Sequence, residues 1–364
     1  MSPIGPEWRD TRAVNPSKVP GRIGLREVAA FARGCAVLGC GGGGGVTLAE
    51  RLARDAVARF GPVRVVDFDD LAPDAFVMPC GMLGSPLIFE ERLPTGDEPA
   101  ELLAAVQAAH GRRVDALMPF QLAGANGLVP LAWAATVGLP LVDADGTGRP
   151  MPNMATVMGL SGVPPTPAFV VDGEGQRITI RAATRDRFVT TAFGVLAGVG
   201  GLGAFAFELM DASVGRRAAI RGTVSRALAI GRAVLTRRGA VEAALPGGRV
   251  LARGRIRHLR HDTPDRGKGG SLLVEDTDGH RLLRVEFQDE FLLALDGGRV
   301  VAATPDTIVL FDAETRRPLL IDELREDRFV TVVAGDGPAA WRTPEGLALA
   351  GPAAFGLDLP DGVA

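Results

Sequence analysis

The chain has 364 residues, enough for two domains of ordinary size, and its 46% hydrophobic and 23% charged residues are typical of a globular protein. A net charge of −3 at pH 7 argues against a nucleic-acid partner, and no apolar run reaches the roughly 18 residues of a membrane span. Only three cysteines and no recognisable signal sequence favour a reducing cytoplasm.

The most informative motif is a run of glycines over residues 39–45, which contains Cys40. An apolar run at residues 36–38 precedes it and a helical pattern over residues 47–53 follows it, so we predict a strand, a loop and a helix. Glycines let a backbone approach a ligand, and a helix N-terminus favours an anion or a developing oxyanion. The pattern also fits in part a dinucleotide-binding loop, or a tight turn that only packs a helix on a strand.

The segments that follow alternate between strand-like and helix-like patterns. We predict strands over residues 63–68, 75–79, 114–118 and 139–142, with helices over residues 98–109 and 128–137. This alternation predicts an α/β domain with a mainly parallel sheet. Ligands bind beyond the carboxyl ends of the strands in such sheets, so we expect the turns at residues 39–45, 121–126 and 143–148 to converge.

The pattern changes towards the C-terminus. Helices are predicted over residues 151–159, 192–199 and 223–238. From about residue 248, short alternating runs and turn signals predict a mostly β region built from hairpins, in which we interpret Glu286, Asp289 and Glu290 as charges on a solvated edge strand. We therefore expect an N-terminal extension, an α/β domain with the glycine-rich loop and an α+β C-terminal domain, over residues 1–24, 25–170 and 171–364.

Three side chains are candidates for catalysis. Cys40 is a nucleophile if the loop and the helix N-terminus lower its pKa, or a small thiol that fills a tight turn. Asp143 and Asp145 are two residues apart in an extended segment, so they share a face and one of them could hold a proton as a general acid. They could equally bind a metal ion with Asn126, or satisfy backbone donors in a turn and a helix cap.

The candidates for substrate binding lie in the same predicted turns. Gln121 and Asn126 each carry a donor and an acceptor, so they could recognise the amides of a ring or hold their own loop together. Arg149 could clamp a carboxylate or form a surface salt bridge, and Thr223 could contact an anionic group or cap a helix. The remaining candidates are the glycine loop and two residues at the end of a predicted strand: Gly41, Gly42, Gly43, Gly44, Cys80 and Met82.

Seven segments together resemble the S-methyl thiohydantoin desulfurase family. In chain order they are LGCGGGG at 38–44, PCGMLGSP at 79–86, DALMPFQLAGAN at 115–126, PLVDADGTG at 140–148, RGTVSRALAIG at 221–231, VEFQDE at 285–290 and WRTPEGLALAGPAAF at 341–355. The resemblance implies an N-terminal α/β domain, a C-terminal domain with much β structure, and a companion protein of the hydantoinase or oxoprolinase type. The activity that it implies is hydrolysis of an S-methylated cyclic isothiourea to a hydantoin and methanethiol.

The chain departs from the family pattern at two carboxylate positions. Many relatives carry Asp-Pro directly after the glycine run, where this chain has Gly45 and Val46. Relatives often have Glu where this chain has Gln121. The loss of two carboxylates near the expected site implies an altered chemistry or a different substrate.

These observations lead us to expect a cytoplasmic hydrolase-like enzyme that acts on a small cyclic amide or thiohydantoin-type ring. Water or Cys40 would attack the ring, the glycine loop would stabilise negative charge, and Asp143 or Asp145 would move protons. No cofactor, nucleic acid or membrane is expected, while a carboxylate-bound metal and a homo-oligomer stay open. The alternatives are a non-catalytic partner subunit of a hydantoinase/oxoprolinase-type enzyme and a nucleotide-binding protein.

Overall fold

The structure is a computed structural model that describes residues 21–92, 94–152, 162–236, 241–262, 269–277 and 281–357. Most of the expected N-terminal extension and of the helix predicted over residues 151–159 lies outside the described residues. None of the described helices combines the length and the hydrophobicity that spanning a bilayer requires.

The first part of the chain contains eight helices and eleven strands within the described residues. In chain order they are β1 Arg22–Ile23, α1 Leu25–Leu38, α2 Val46–Phe60, β2 Val63–Val66, β3 Phe76–Gly84, α3 Pro86–Glu91, α4 Glu98–His110, β4 Ala116–Pro119, α5 Ala125–Val137, β5 Leu141–Val142, β6 Ala144–Asp145, β7 Ala168–Val171, β8 Arg177–Ile180, α6 Arg185–Leu196, β9 Leu202–Ala206, β10 Met210–Asp211, α7 Ala212–Ala218, β11 Ile220–Arg221 and α8 Thr223–Leu235. The strands and helices predicted between residues 63 and 142 are confirmed with small shifts of their ends, and α3 was not predicted.

Nine of these strands form one sheet, in the order β1-β2-β5-β4-β3-β9-β7-β8 with β10 added against β3. The centre of the sheet is parallel, because β5 pairs with both β2 and β4, and β4 pairs with β3. The later strands β7, β8 and β9 extend the sheet with antiparallel pairings. The α/β architecture is therefore present, but the sheet is mixed rather than mainly parallel.

The strand predicted over residues 36–38 is wrong, because these residues form the last turn of α1. Val28, Phe31, Cys35 and Leu38 are buried on one face of this helix, at the spacing of an amphipathic helix. A short apolar run does not distinguish a strand from a helix unless the preceding turns are included. The glycine loop therefore joins two helices, so the strand that a dinucleotide-binding loop requires before it is absent.

Helices α1 and α8 pack against each other with almost no space between their backbones. A Cβ atom on Gly34 would lie 1.7 Å from the carbonyl oxygen of Ala227, and one on Gly231 would lie 1.6 Å from that of Ala30. Both distances are far below van der Waals contact, so only glycine allows this approach. This contact joins α1 to α8, two helices that are almost two hundred residues apart in the sequence.

The second part of the chain is a mostly β region, as predicted. Its elements are β12 Arg249–Asp262, β13 Gly269–Asp276, β14 Leu282–Gln288, β15 Glu290–Asp296, β16 Arg299–Ala303, β17 Thr307–Asp312, β18 Phe329–Gly335 and α9 Pro344–Ala350. The strands form an antiparallel sheet in the order β16-β15-β14-β13-β12-β18-β17. The tight turn between β14 and β15, at Asp289, packs against the glycine loop.

Candidate functional site

A pocket of about 1090 Å³ lies against the glycine loop. Residues 41–45 form one wall of it, and the end of β3, the segment 120–126, the turn between β14 and β15 and the segment 320–323 form others. Two of the three turns that we expected to converge therefore meet here. The third, at residues 143–148, does not line the pocket.

The glycine loop is held by its carbonyl groups. The carbonyl of Cys40 accepts a hydrogen bond from Phe291 N at 2.8 Å, and that of Gly43 accepts one from Ala125 N at 2.9 Å. Gly43 and Gly44 have φ angles of 76° and 80°, a conformation that favours glycine. Their own N–H groups have no acceptor among the described residues, and both glycines line the pocket.

Glu290 is the acidic residue that the structure brings to this loop. It begins β15, lines the pocket and is only 5% exposed. A Cβ atom on Gly42 would lie 2.4 Å from its Oε1, so the absence of a side chain at Gly42 makes room for the carboxyl group. Its Oε2 is buried and has no hydrogen-bond partner in the described part of the protein.

The same surroundings determine the protonation of Glu290. Burial, helped by the negative charge of Asp289 and opposed by the positive charge of Arg149, raises its pKa to about 8. The carboxyl group therefore holds its proton at neutral pH. Because its pKa is close to neutral pH, it could both give and accept a proton. This combination of a cleft, burial and a shifted pKa is characteristic of a functional acid.

The interpretation of Glu290 as a solvated edge charge is wrong. Strand β15 lies between β14 and β16 in the sheet, and the glycine loop covers its first residue. The sequence did carry a signal, because the apolar run at residues 291–295 follows Glu290 directly. The start of a buried strand can still be exposed to water. For Glu290 it is not, because the glycine loop, which is distant in the sequence, covers it.

Three of the predicted binding side chains also line the pocket: Met82, Gln121 and Asn126. Asn126 Oδ1 accepts a hydrogen bond from Met82 N at 2.9 Å, which assigns the orientation of the amide and leaves its Nδ2 to donate to a ligand. The side chain of Gln121 is half-buried and forms no hydrogen bond with the described residues. Both amides can therefore take part in recognition of a ring.

Asp143 and Asp145 lie outside the pocket and bind the backbone of other segments. Asp143 accepts hydrogen bonds from Ser225 N at 2.9 Å and from the Ser225 hydroxyl, so it caps the first turn of α8. Asp145 accepts from Leu122 N at 2.8 Å and from Gly148 N at 2.9 Å. Burial raises the pKa of both, that of Asp145 to about 6. Asp145 therefore positions the segment that carries Gln121.

The cysteines are all fully buried and none lines the pocket. Burial raises the pKa of Cys40, although the positive charge of Arg149 opposes it. The role of Cys40 as a nucleophile required the loop and the helix N-terminus to lower this pKa. Removal of the thiol from water raises it instead, which favours the alternative of a small thiol that fills a tight turn. Burial likewise raises the pKa of Cys80 within β3 and of Cys35 within α1.

Arg149 and Thr223 also lie away from the pocket wall. Arg149 is fully buried, and its guanidinium donates to the carbonyls of Pro150, Asp306 and Phe291. It thereby fixes the start of β15 behind Glu290. Thr223 is buried in the first turn of α8. Within the part of the chain that the structure describes, no three His, Cys, Asp or Glu side chains are placed to hold a metal ion.

Two family models match consecutive parts of the chain: the S-Me-THD-like N-terminal domain over residues 26–182 and the S-Me-THD-like C-terminal domain over residues 185–361. A crystal structure of a protein from Chromobacterium violaceum, a structural genomics target, is similar with a TM-score of 0.73 and 26% sequence identity, over 90% of this chain and 94% of that chain. A search of curated proteins gave no match. As its sequence motifs indicated, the chain belongs to the S-Me-THD-like family.

Proposed function

We propose that the protein hydrolyses a small thiohydantoin-type ring bearing an S-alkyl group, with Glu290 as the acid and base. The observation that carries the proposal is the buried Oε2 of Glu290, which has no partner among the described residues and belongs to a side chain that lines the pocket beside Gly42. A protonated carboxyl group in that position can donate a proton and later take one back.

The proposed reaction replaces the C–S bond of the ring carbon by a C–O bond. Glu290 first gives its proton to the ring nitrogen that is double-bonded to this carbon, which makes the carbon more electrophilic. Water then adds to the carbon and gives a proton to the Glu290 carboxylate, forming a tetrahedral species. When the C–S bond breaks, the new hydroxyl becomes a carbonyl, and its proton passes through Glu290 to the departing thiolate. Glu290 ends protonated, and the products are a hydantoin-type ring and a thiol.

The pocket wall offers groups for the remaining tasks. The unpaired N–H groups of Gly43 and Gly44 can donate to the added oxygen and stabilise the negative charge that it gains as its hydroxyl proton leaves. The N-terminus of α2, which begins after Gly45 without a side-chain cap, adds to this effect. Asn126 Nδ2 can donate to the ring carbonyl, and Gln121 can pair with a ring N–H. Asp145 acts through the segment that it holds in place, so it is a positioning residue.

Turnover of a synthetic S-methyl thiohydantoin with an uncharged alkyl substituent tests the proposal. We expect one methanethiol released per hydantoin formed, with one ¹⁸O atom incorporated into the product from labelled water. Glu290→Gln should lower the rate by at least about 100-fold, in the range of general acid–base catalysis. Glu286→Gln is the matched control, because Glu286 pairs with Arg284 on β14 and does not line the pocket. The absence of turnover, or full activity of Glu290→Gln, would contradict the proposal.

A further inference from the structure

The ionisable side chains of the pocket wall are all acidic within the described residues. Of the described residues that line the pocket, five are acidic and none is Lys, Arg or His. The acidic residues are Glu90, Asp289, Glu290, Asp322 and Glu323. Glu323 forms an ion pair with Arg317, so its charge is compensated. Glu90 and Glu290 form no ion pair with the described residues.

Glu90 and Glu290 lie at opposite ends of the glycine loop. Glu290 lies against Gly42, whereas a Cβ atom on Gly45 would lie 2.3 Å from Glu90 Oε1 and 3.8 Å from Leu320 Cδ1. Glu90 therefore lies beside the segment that carries Asp322 and Glu323. Because three residues of backbone separate Gly42 from Gly45 by at most about 11 Å, one small molecule can reach both carboxyl groups.

Two arginines that lie near pocket-lining segments, Arg149 and Arg92, bind backbone carbonyls instead of the pocket. Arg149 donates to three backbone carbonyls. Arg92 follows α3 and donates to the carbonyls of Val199 at 3.2 Å and Asp172 at 3.3 Å. Neither lines the pocket, and Arg317 is paired with Glu323. A ligand carboxylate therefore meets no Lys, Arg or His among the described residues that line the pocket. A ligand carboxylate would lose water and meet like charges, which is unfavourable.

We infer that the ring substrate of this protein carries a cationic substituent, a guanidinium or an ammonium group, whose charge lies between Glu90 and the 320–323 segment. Leu87, Phe193 and Phe355 line the pocket and can cover the alkyl stem of such a substituent. The inference rests on the proposed function, because it assumes the thiohydantoin-type ring of that proposal. The unpartnered carboxyl of Glu290 contacts the ring, and Glu90 selects the substituent.

Calorimetric titration of the protein with three hydantoins, which have the product-type ring and do not turn over, tests the inference. The ring carries a guanidinopropyl, a propyl or a carboxyethyl group. At low salt we expect the guanidinopropyl compound to bind at least about tenfold more tightly than the propyl compound, and the carboxyethyl compound more weakly than either. Glu90→Gln should bring the guanidinopropyl and propyl compounds to within about threefold of each other. Glu91→Gln is the matched control, since Glu91 is exposed on α3 but does not line the pocket, and it should leave the ratio unchanged.

Equal or tighter binding of the carboxyethyl compound than of the propyl compound would overturn the inference and leave the proposed ring site standing. A tenfold preference for guanidinopropyl that survives in Glu90→Gln would overturn the assignment to Glu90. If none of the three hydantoins binds at millimolar concentration, including the uncharged one, the ring site itself is wrong and both proposals fall.

Discussion

Replacing Glu290 by Gln should stabilise the folded protein at alkaline pH although it removes activity. Gln has nearly the same shape and remains neutral, so the substitution removes only the cost of a buried negative charge. The pKa of Glu290 is raised to about 8 because the group is buried against the glycine loop and beside Asp289. The charged form of such a group destabilises the fold. Groups of this kind cluster at functional sites, where their shifted pKa serves a reaction.

The magnitude follows from the difference between the folded pKa of about 8 and the ordinary value of 4.5. At about 1.4 kcal/mol per pKa unit, this difference corresponds to about 5 kcal/mol as an upper bound. The side chain lines a pocket, so part of this cost is relieved if the charged carboxylate is hydrated from there. We therefore expect Glu290→Gln to raise the free energy of unfolding by about 2 kcal/mol above pH 8.

The sign of the pH dependence is also fixed. The folded protein retains the Glu290 proton between about pH 4.5 and 8, where the unfolded chain has lost it. The stability contributed by this group is thus fully present below about pH 4.5, falls as the pH rises through this window, and levels off above pH 8. The advantage of Glu290→Gln over the wild type should grow over the same range and then remain constant.

Urea unfolding at pH 5, 7 and 9 measures this advantage. Asp145 and Glu208 also have raised pKa values, of about 6 and about 8, but they titrate in both proteins and cancel in the difference. Glu286→Gln serves as the control and should show no comparable change with pH. A Glu290→Gln protein that is no more stable at pH 9 than at pH 5, relative to the wild type, would refute the buried-charge explanation.

Three further predictions concern the framework around the pocket. Gly231→Ala should destabilise the protein by about 3 kcal/mol, because its Cβ would collide with the backbone of Ala30, whereas Gly194→Ala in α6 has open space and should be neutral or stabilising in thermal unfolding. Iodoacetamide should leave both Cys40 and the activity of the native protein unmodified at pH 8, because the thiol is buried and its pKa is raised, and rapid inactivation with labelling of Cys40 would argue for a thiolate nucleophile. Asp145→Asn should cost about 1–3 kcal/mol in denaturant unfolding, because one accepting oxygen becomes an NH2 group that faces the N–H of Gly148 or Leu122, and unchanged stability would contradict this role.

Local patterns predicted much of the fold. The helices and strands between residues 63 and 142 follow from hydrophobic periodicity and turn residues, both of which are properties of neighbouring positions. The mixed character of the sheet depends on the pairing of β9 with β3, where Cys80 lies opposite Ala206. Nothing near either strand in the sequence specifies that pairing, since it is decided by the packing of the whole domain.

Local sequence patterns also predicted part of the candidate site. Glycines and side-chain amides in turns pointed to residues 41–44, Gln121 and Asn126, which line the pocket. The carboxylates were harder, because their role depends on distant donors. Asp143 is satisfied by Ser225, which is 82 positions away, and Glu290 is covered by a loop near the N-terminus. A carboxylate that finds donors becomes structural, and one that is buried without them becomes a candidate acid.

The measurement that tests the central claim most directly is the pH dependence of kcat/KM for thiol release, for the wild type and Glu290→Gln, from pH 5 to pH 10. If Glu290 acts in its protonated form, the wild-type value falls above a single ionisation near pH 8, and the variant is at least about 100-fold slower below that pH. A Glu290→Gln protein that turns over at the wild-type rate at pH 7 would contradict the claim.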